Sequence, residues 1–364
     1  MYIGSSLLRH FLYPLLAKSG FFRTFRNREM RNCLTIVTYH GVLPQTYEVE
    51  DRLLDGNLIS RDVFQKQVRL LKSRYNVIHP EELNSCLTRH DSLPPNSILI
   101  TCDDGLLNNV TDMLPVLKEE KLCCLFLVTT DTIKKPIPTL LWHEKLYLLL
   151  KTGSERDIRT AVEASLVSNG NHQREVWWQL VKEFSKVGHE KRQELIDRLR
   201  QELGLEKAWE TVMGENPVFR QRFMVLSLSD LELLRDAGMT LGSHTCTHPI
   251  LSLLPSNMAQ YEMEESRHNL EQELGVRVWA LSYPFGDPAS VTSREMTMAE
   301  RAGYRCAFVN SGGLVPSQME RPFRLQRVHV SADMTMAEFE AHVSGFHQML
   351  QSKFLRSMDV SNCI

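Results

Sequence analysis

An alternation constrains this chain more than any other feature. Short apolar, β-rich runs are separated by segments with helical periodicity. Cys33–Tyr39, Asn76–His79, Ser97–Cys102, Leu122–Thr129, Met239–Ser243, Val278–Tyr283, Arg305–Val309 and Leu325–Val330 read as strands. Arg61–Tyr75, Asn109–Glu120, Ser256–Leu274 and Thr292–Ala302 read as helices between them. Ser229-Asp-Leu-Glu232 reads as a capping box opening a further helix that stops at Gly238. Strands that alternate with helices predict a parallel α/β sheet, open or closed into a barrel, because each parallel pair needs a crossover. Residues 134–222 break the pattern. Leu140–Lys151 and Glu190–Leu203 are helical and little between them reads as strand, so this stretch is expected to be a helical insertion within a main domain at 32–345. A last helix is expected over Thr335–Phe354, with 346–364 as its end and a polar tail.

The 364 residues suit one barrel-sized domain carrying an insertion. With 42 basic and 44 acidic residues the net charge is −2, which argues against nucleic acid as a partner. None of the eight cysteines shows CxxC spacing, and Cys123 and Cys124 sit in an apolar run; buried free thiols in a reducing, cytoplasmic compartment are expected.

The first 31 residues stand apart. Leu7, Leu8, Phe11, Leu12, Leu15 and Leu16 recur at helical spacing, and six basic residues accompany one acid, Glu29. Pro14 interrupts a run too short to span a bilayer, and no cleavage-like site follows it. A basic amphipathic segment of this kind either lies peripherally on an anionic membrane or packs on the domain, and the sequence favours neither.

Four motifs carry chemistry, all of them at ends of expected strands, where sites form in parallel α/β folds. In Ile98-Leu-Ile-Thr-Cys-Asp103-Asp104-Gly105 a strand runs into two adjacent carboxylates. Their repulsion is best tolerated beside a cation, although Asp-Asp-Gly is also ordinary turn chemistry. In Leu241-Gly-Ser-His244-Thr-Cys-Thr-His248 two histidines converge on one metal if the backbone turns between them. Two histidines and one carboxylate, leaving positions open for water, form a common hydrolytic zinc shell. Leu281-Ser-Tyr283-Pro-Phe285-Gly ends a strand in an aromatic turn, whose backbone N–H groups suit an oxyanion. Val37-Thr-Tyr39-His40 places a histidine at the end of the first core strand; alone, such a residue is more often structural.

Together these segments resemble the polysaccharide deacetylase family, the NodB-homology group within carbohydrate esterase family four, over Cys33–Thr130 and Met224–Val330. The resemblance implies a distorted (β/α) barrel with its site at the C-terminal ends of the strands. It implies a divalent metal, zinc by the donor set, held by Asp104, His244 and His248, with Asp103 as general base. The Phe285 N–H and Tyr283 are then expected at the substrate and oxyanion position. The chain departs from the commonest family pattern at three places: Cys102 replaces an aromatic residue, Phe285 a tyrosine, and Ser282 an arginine that orients the base. Arg327 is the candidate to stand in for that arginine. The late Leu-x-His motif that supplies an acid in many members is reduced to Arg327-Val-His329-Val330, so the resemblance favours His40 over His329 as general acid.

The reaction implied is hydrolysis of an N-acetyl group from an amino sugar in a polysaccharide or lipid-linked saccharide, giving acetate and free amine. An O-acetyl esterase with the same site and a non-catalytic carbohydrate-binding barrel are the alternatives. In the insertion, Leu140-Leu-Trp142-His-Glu144 reads as a helix anchored in a core by Trp142, or else as a wall of the substrate groove.

Overall fold

The computed structural model describes residues 7–49, 55–133, 139–153, 173–205, 209 and 217–352. Its centre is a parallel sheet of eight strands in one path: β1 (Thr35–Tyr39), β2 (Ser97–Cys102), β3 (Leu125–Val128), β4 (Thr240–Ser243), β5 (Ala280–Ser282), β6 (Cys306–Val309), β7 (Leu325–Gln326) and β8 (Val328–His329). The order across the sheet is β7-β6-β5-β4-β3-β2-β1-β8, and Asn76–Val77 adds a short strand beside β2. Two strands separated in sequence by Arg327 alone therefore form the two ends of the path. The sheet is nearly closed into a (β/α) barrel, as expected.

The sequence divides the barrel wall by alternation. Val37, Tyr39, Ile98, Ile100, Cys102, Phe126 and Val128 join the large core cluster between strands and helices. Ile36, Leu99, Leu125, Leu127, Ala280, Cys306, Phe308 and Leu325 join a second cluster that fills the interior. β1, β2, β3, β5 and β6 are buried along their whole length, as suits a sheet covered on both faces.

Register then aligns the strand ends. Tyr39 pairs with Cys102, Val128 with Ser243 and Thr38 with His329. The ladder runs one step further, with Asp103 N–H donating to the Tyr39 carbonyl at 2.9 Å and His244 N–H to the Val128 carbonyl at 2.8 Å. His40, Asp103 and His244 thus leave the sheet at one rim.

Between β3 and β4 the described residues at 134–222 form helices Trp142–Thr152, Gln173–Phe184, His189–Glu202 and Pro217–Phe223. The chain leaving this region returns to the Asp104 loop: Leu107 N–H donates to the Met224 carbonyl and Leu226 N–H to the Gly105 carbonyl, both at 2.7 Å.

Three local expectations are corrected. The capping box of helix Leu228–Asp236 is Ser227 with Asp230, two residues before the pair read from sequence, because Ser227 is the last residue in extended backbone. The C-terminal helix does not run unbroken from Thr335: Met336–Val343 ends at Ser344, and Gly345, with φ +85°, breaks the axis before the chain turns helical again. The strand expected over Leu325–Val330 is split at Arg327, where pairing passes from β6 to β1.

Residues 8–29 are helical in three short pieces. Tyr13, Phe22 and Phe25 pack with Ala341 and Phe346, and Leu8 and Leu16 lie against that cluster. Leu7, Phe11 and Leu15 are 63%, 71% and 66% exposed, an i, i+4, i+8 stripe on the opposite face. No helix among the described residues is long and apolar enough to cross a membrane.

Candidate functional site

The rim loops adopt costly backbone conformations. Asp104, Thr245, His248 and Phe285 all have positive φ (74°, 67°, 58° and 64°), a region L-residues seldom enter and β-branched threonine least. Gly105 follows Asp104 at φ +75°, with Val128 directly against it, so two successive left-handed residues turn the paired carboxylates back over the barrel mouth.

This turn brings Asp104, His244 and His248 together, with one donor atom from each lying within 4.8 Å of the others. Both imidazole Nε2 atoms face the same Asp104 oxygen at 3.3 Å. His244 Nδ1 lies 2.8 Å from the Ser282 carbonyl, so it carries the proton and leaves an Nε2 lone pair facing the cluster. Two nitrogens and a carboxylate at this spacing fit a divalent ion, and the N₂O donor set suits zinc. Burial would raise the Asp104 carboxyl, but His40, His244 and His248 together hold it well below the usual carboxylate range. Burial would lower both histidines; for His244 the Asp103 and Asp104 charges outweigh it and the net shift is upward, whereas His248 stays lowered.

Asp103 is also fully buried, and its partners are particular. Arg327 clasps it with both arms, Nη1 to Oδ1 at 2.7 Å and Nη2 to Oδ2 at 2.5 Å. Ser282 Oγ donates to Oδ2 at 2.9 Å and accepts from Arg327 Nη2 at 2.8 Å. The small serine on β5 leaves room for a guanidinium arriving from the β7–β8 seam. Burial pushes the Asp103 carboxyl up, but Arg327 and then His244 overcome it and the net shift is downward.

His40 lies beside these carboxylates and meets His329 edge to face, ring centroids 5.0 Å apart. His329 Nε2 is 3.2 Å from Asn57 Oδ1, and burial, reinforced by His40 and Arg327, lowers its pKa to about 3. Phe285 packs on His248 at 5.0 Å, and its N–H meets no acceptor among the described residues.

Tyr283 is not brought to the site. Ala280 and Ser282 face the interior, so Leu281 and Tyr283 face the helices; Tyr283 is buried there and its hydroxyl donates to the Phe323 carbonyl at 3.2 Å. Cys102 likewise points into the outer core.

Sequence reasoning offered the segment Leu140–Glu144 as a core-anchored helix or as a groove wall, and did not single out Tyr147 or Arg222. Trp142 is the expected core anchor, yet its Nε1 also donates to the His248 carbonyl at 2.9 Å, and the His143 ring lies 4.6 Å from that of His248. A cavity opens here, lined among others by His40, Asn57, Asp104, His143, Glu144 and Arg222. Arg222 is fully buried and bridges Asp55 at 2.7 Å and Glu144 at 2.8 Å. Burial raises the Glu144 carboxyl to about 7 against the opposing pull of Arg222. A charged residue in a helix buried on nearly all sides was the one available signal, and periodicity does not reveal it.

Residues 215–307 match the sequence profile of the polysaccharide deacetylase family. No curated protein sequence matches the chain. Three solved structures share the fold: the Streptococcus pyogenes deacetylase PplD in complex with acetate (15% identity, TM-score 0.55, 86% of this chain and 99% of that one); IcaB from Ammonifex degensii (17%, 0.53, 86% and 97%); and a de-N-acetylase from Aggregatibacter actinomycetemcomitans (11%, 0.55, 85% and 99%). The profile match falls on the segment that holds His244, His248 and Phe285, and the fold of these deacetylases is shared over most of the chain.

Proposed function

We propose that this protein is a member of the polysaccharide deacetylase family, a metal-dependent N-deacetylase that hydrolyses the acetamido group of an amino sugar in a polysaccharide or lipid-linked saccharide. The observation that carries the reading is the Asp104–His244–His248 cluster beside an Asp103 clasped by Arg327. Asp104, His244 and His248 would hold the metal, for which zinc fits the donors. Such an ion, when bound, supplies Lewis acidity to an acetyl carbonyl.

Asp103 is the general base: held ionised by Arg327, it takes a proton from the attacking water. Arg327 and Ser282 fix its orientation. The unengaged Phe285 N–H faces the charge that develops on the acetyl oxygen. His40 delivers a proton to the departing nitrogen, which cannot leave as an amide anion. His329, with its pKa near 3, is neutral at pH 7 and is the poorer acid. Water and the acetamide become acetate and a free amine. We assign residues 134–222 as an insertion within a barrel at 32–345, with His143, Glu144, Tyr147, Trp177 and Arg222 lining the cavity at this mouth.

Metal analysis of the purified protein, coupled to acetate release from matched N-acetyl and O-acetyl saccharides, tests the reading. Asp103→Asn should keep the metal and lose turnover, whereas Asp104→Ala should lose the metal. Wild-type turnover in Asp103→Asn, or release from O-acetyl sugars alone, refutes it.

We further propose that residues 7–31 rest on an anionic membrane surface. Leu7, Phe11 and Leu15 are exposed while the neighbouring face is packed, and Lys18, Arg23, Arg28 and Arg31 are exposed beside them. All seven cysteines among the described residues are free thiols, which supports a cytoplasmic setting. Cosedimentation with phosphatidylserine vesicles should be lost on replacing the three apolar residues by serine.

A further inference from the structure

Opposite Asp104, the cavity wall comes from the insertion, and the chemistry above gives that wall no role. Glu144 and Tyr147 stand three residues apart on one helix, 5% and 1% exposed, and both line the cavity. Glu144 Oε1 accepts from Arg222, but among the described residues Oε2 has no hydrogen-bond partner, and neither has the Tyr147 hydroxyl. Buried polar atoms left unpaired are rare, and each calls for an explanation. Half-buried Trp177 lines the same cavity, its ring anchored by Nε1 donating to the His143 carbonyl at 2.8 Å.

A carboxylate oxygen, a hydroxyl and an indole face around one cavity are the groups that bind a pyranose: two for its hydroxyls, one for its C–H face. We propose that Glu144, Tyr147 and Trp177 form a subsite for a saccharide ring, contributed by the insertion and selecting uncharged or amine-bearing rings over anionic ones. The proposal rests on the saccharide reading above. The charge preference follows from Asp55 and Glu144 both drawing on Arg222: with Glu144 ionised, these three side chains carry two negative charges against one positive. A ring bearing a carboxylate or phosphate is repelled there.

The test uses the metal-loaded full chain at pH 8, where Glu144 is ionised. Binding of triacetylchitotriose, and of an oligosaccharide of similar length containing glucuronate, is measured by calorimetry on Asp103→Asn protein, so that binding is read without turnover. KM and kcat are measured with Asp103 intact. Tyr147→Phe removes one oxygen and should weaken chitotriose binding and raise KM about five- to tenfold, with kcat within twofold. Glu144→Gln should do the same and also narrow the preference against glucuronate. Unchanged binding and KM in both variants overturns the subsite, even if acetate is released. Tyr147-dependent binding without acetate release from any sugar keeps the subsite and overturns the deacetylase reading. Absence of both overturns both.

Discussion

Replacing Arg327 by methionine keeps most of the side-chain length and removes the guanidinium. Asp103, fully buried, would keep only the Ser282 hydroxyl at 2.9 Å. Burial alone raises this carboxyl, and Arg327 is the largest influence opposing it. Without that cation, burial pushes the Asp103 carboxyl upward. The ionised fraction then falls as the pH drops below the raised value, tenfold for each unit. With the lost orientation added, kcat/KM should fall about 10²-fold at pH 6 and recover toward pH 9.

Stability should move with it, since breaking a buried pair from one side costs about 3–5 kcal/mol. The sign of its pH dependence reverses. In the wild type the Asp103 carboxyl is lowered, so its contribution is present above the ordinary carboxylate range and is lost as pH falls through the lowered value. In the variant it is lost as pH rises through the raised one. Acetate release across pH 5.5–9.5 and urea melts at both ends read these effects. The double variant Ser282→Arg, Arg327→Ser returns the cation to β5 and should restore much of the activity. An acid limb that does not move in Arg327→Met, with kcat within twofold, refutes the assignment of Arg327 as the residue that keeps Asp103 ionised.

Trp142→Phe removes the bond to the His248 carbonyl while keeping most of the apolar bulk. Zinc affinity, read by chelator competition, should weaken about tenfold with little change in melting. Arg222→Met strands Asp55 and Glu144, and the urea midpoint should drop by the equivalent of about 3–5 kcal/mol. His342 stacks on His347 at 3.8 Å, and burial holds its pKa down to about 3. The unfolded chain takes up a proton near pH 6.5 and the folded one does not, so stability is complete above that value and falls away between it and about 3. At pH 5 His342 alone should account for a loss of about 2 kcal/mol, absent in His342→Phe.

The barrel was legible because its strands announce themselves. Ser97–Cys102 and Ser256–Leu274 were read with the bounds the structure gives them, and other strand ends moved by one to three residues where apolar runs continue past the last ladder bond. The Asp104–His244–His248 cluster was legible because Asp103-Asp104 and His244-x-x-x-His248 follow strands whose register the parallel sheet makes common. Tyr283 was misplaced although the signal was present. Strand parity puts Ser282 inward and its neighbour outward, and a motif read as a string hides that distinction. Tyr147 and Arg222 were not legible, because their meaning depends on how the helices Trp142–Thr152 and Pro217–Phe223 pack back at the mouth. No local pattern encodes that return; it is written in pairings such as Leu226 with Gly105, more than a hundred positions apart.

The position of Arg327 explains why an arginine can migrate within such a site without losing its partner. An inward-facing residue near the carboxyl end of any barrel strand reaches the same axial region, so β5 is one of several places from which a cation can meet Asp103. The seam between β7 and β8 is a favourable one. Its backbone leaves the β6 edge after Gln326 and joins the β1 edge at Val328, so the residue between them sits where the two edges of the sheet approach. A guanidinium anchored there binds β2 through Asp103 and Thr101, and β5 through Ser282, which ties the closing strands to the far wall of the interior. The ion pair that sets the charge of Asp103 is therefore also a crosslink across the barrel. Closure of the sheet and ionisation of Asp103 are coupled through one side chain, and neither can be perturbed at this point without the other.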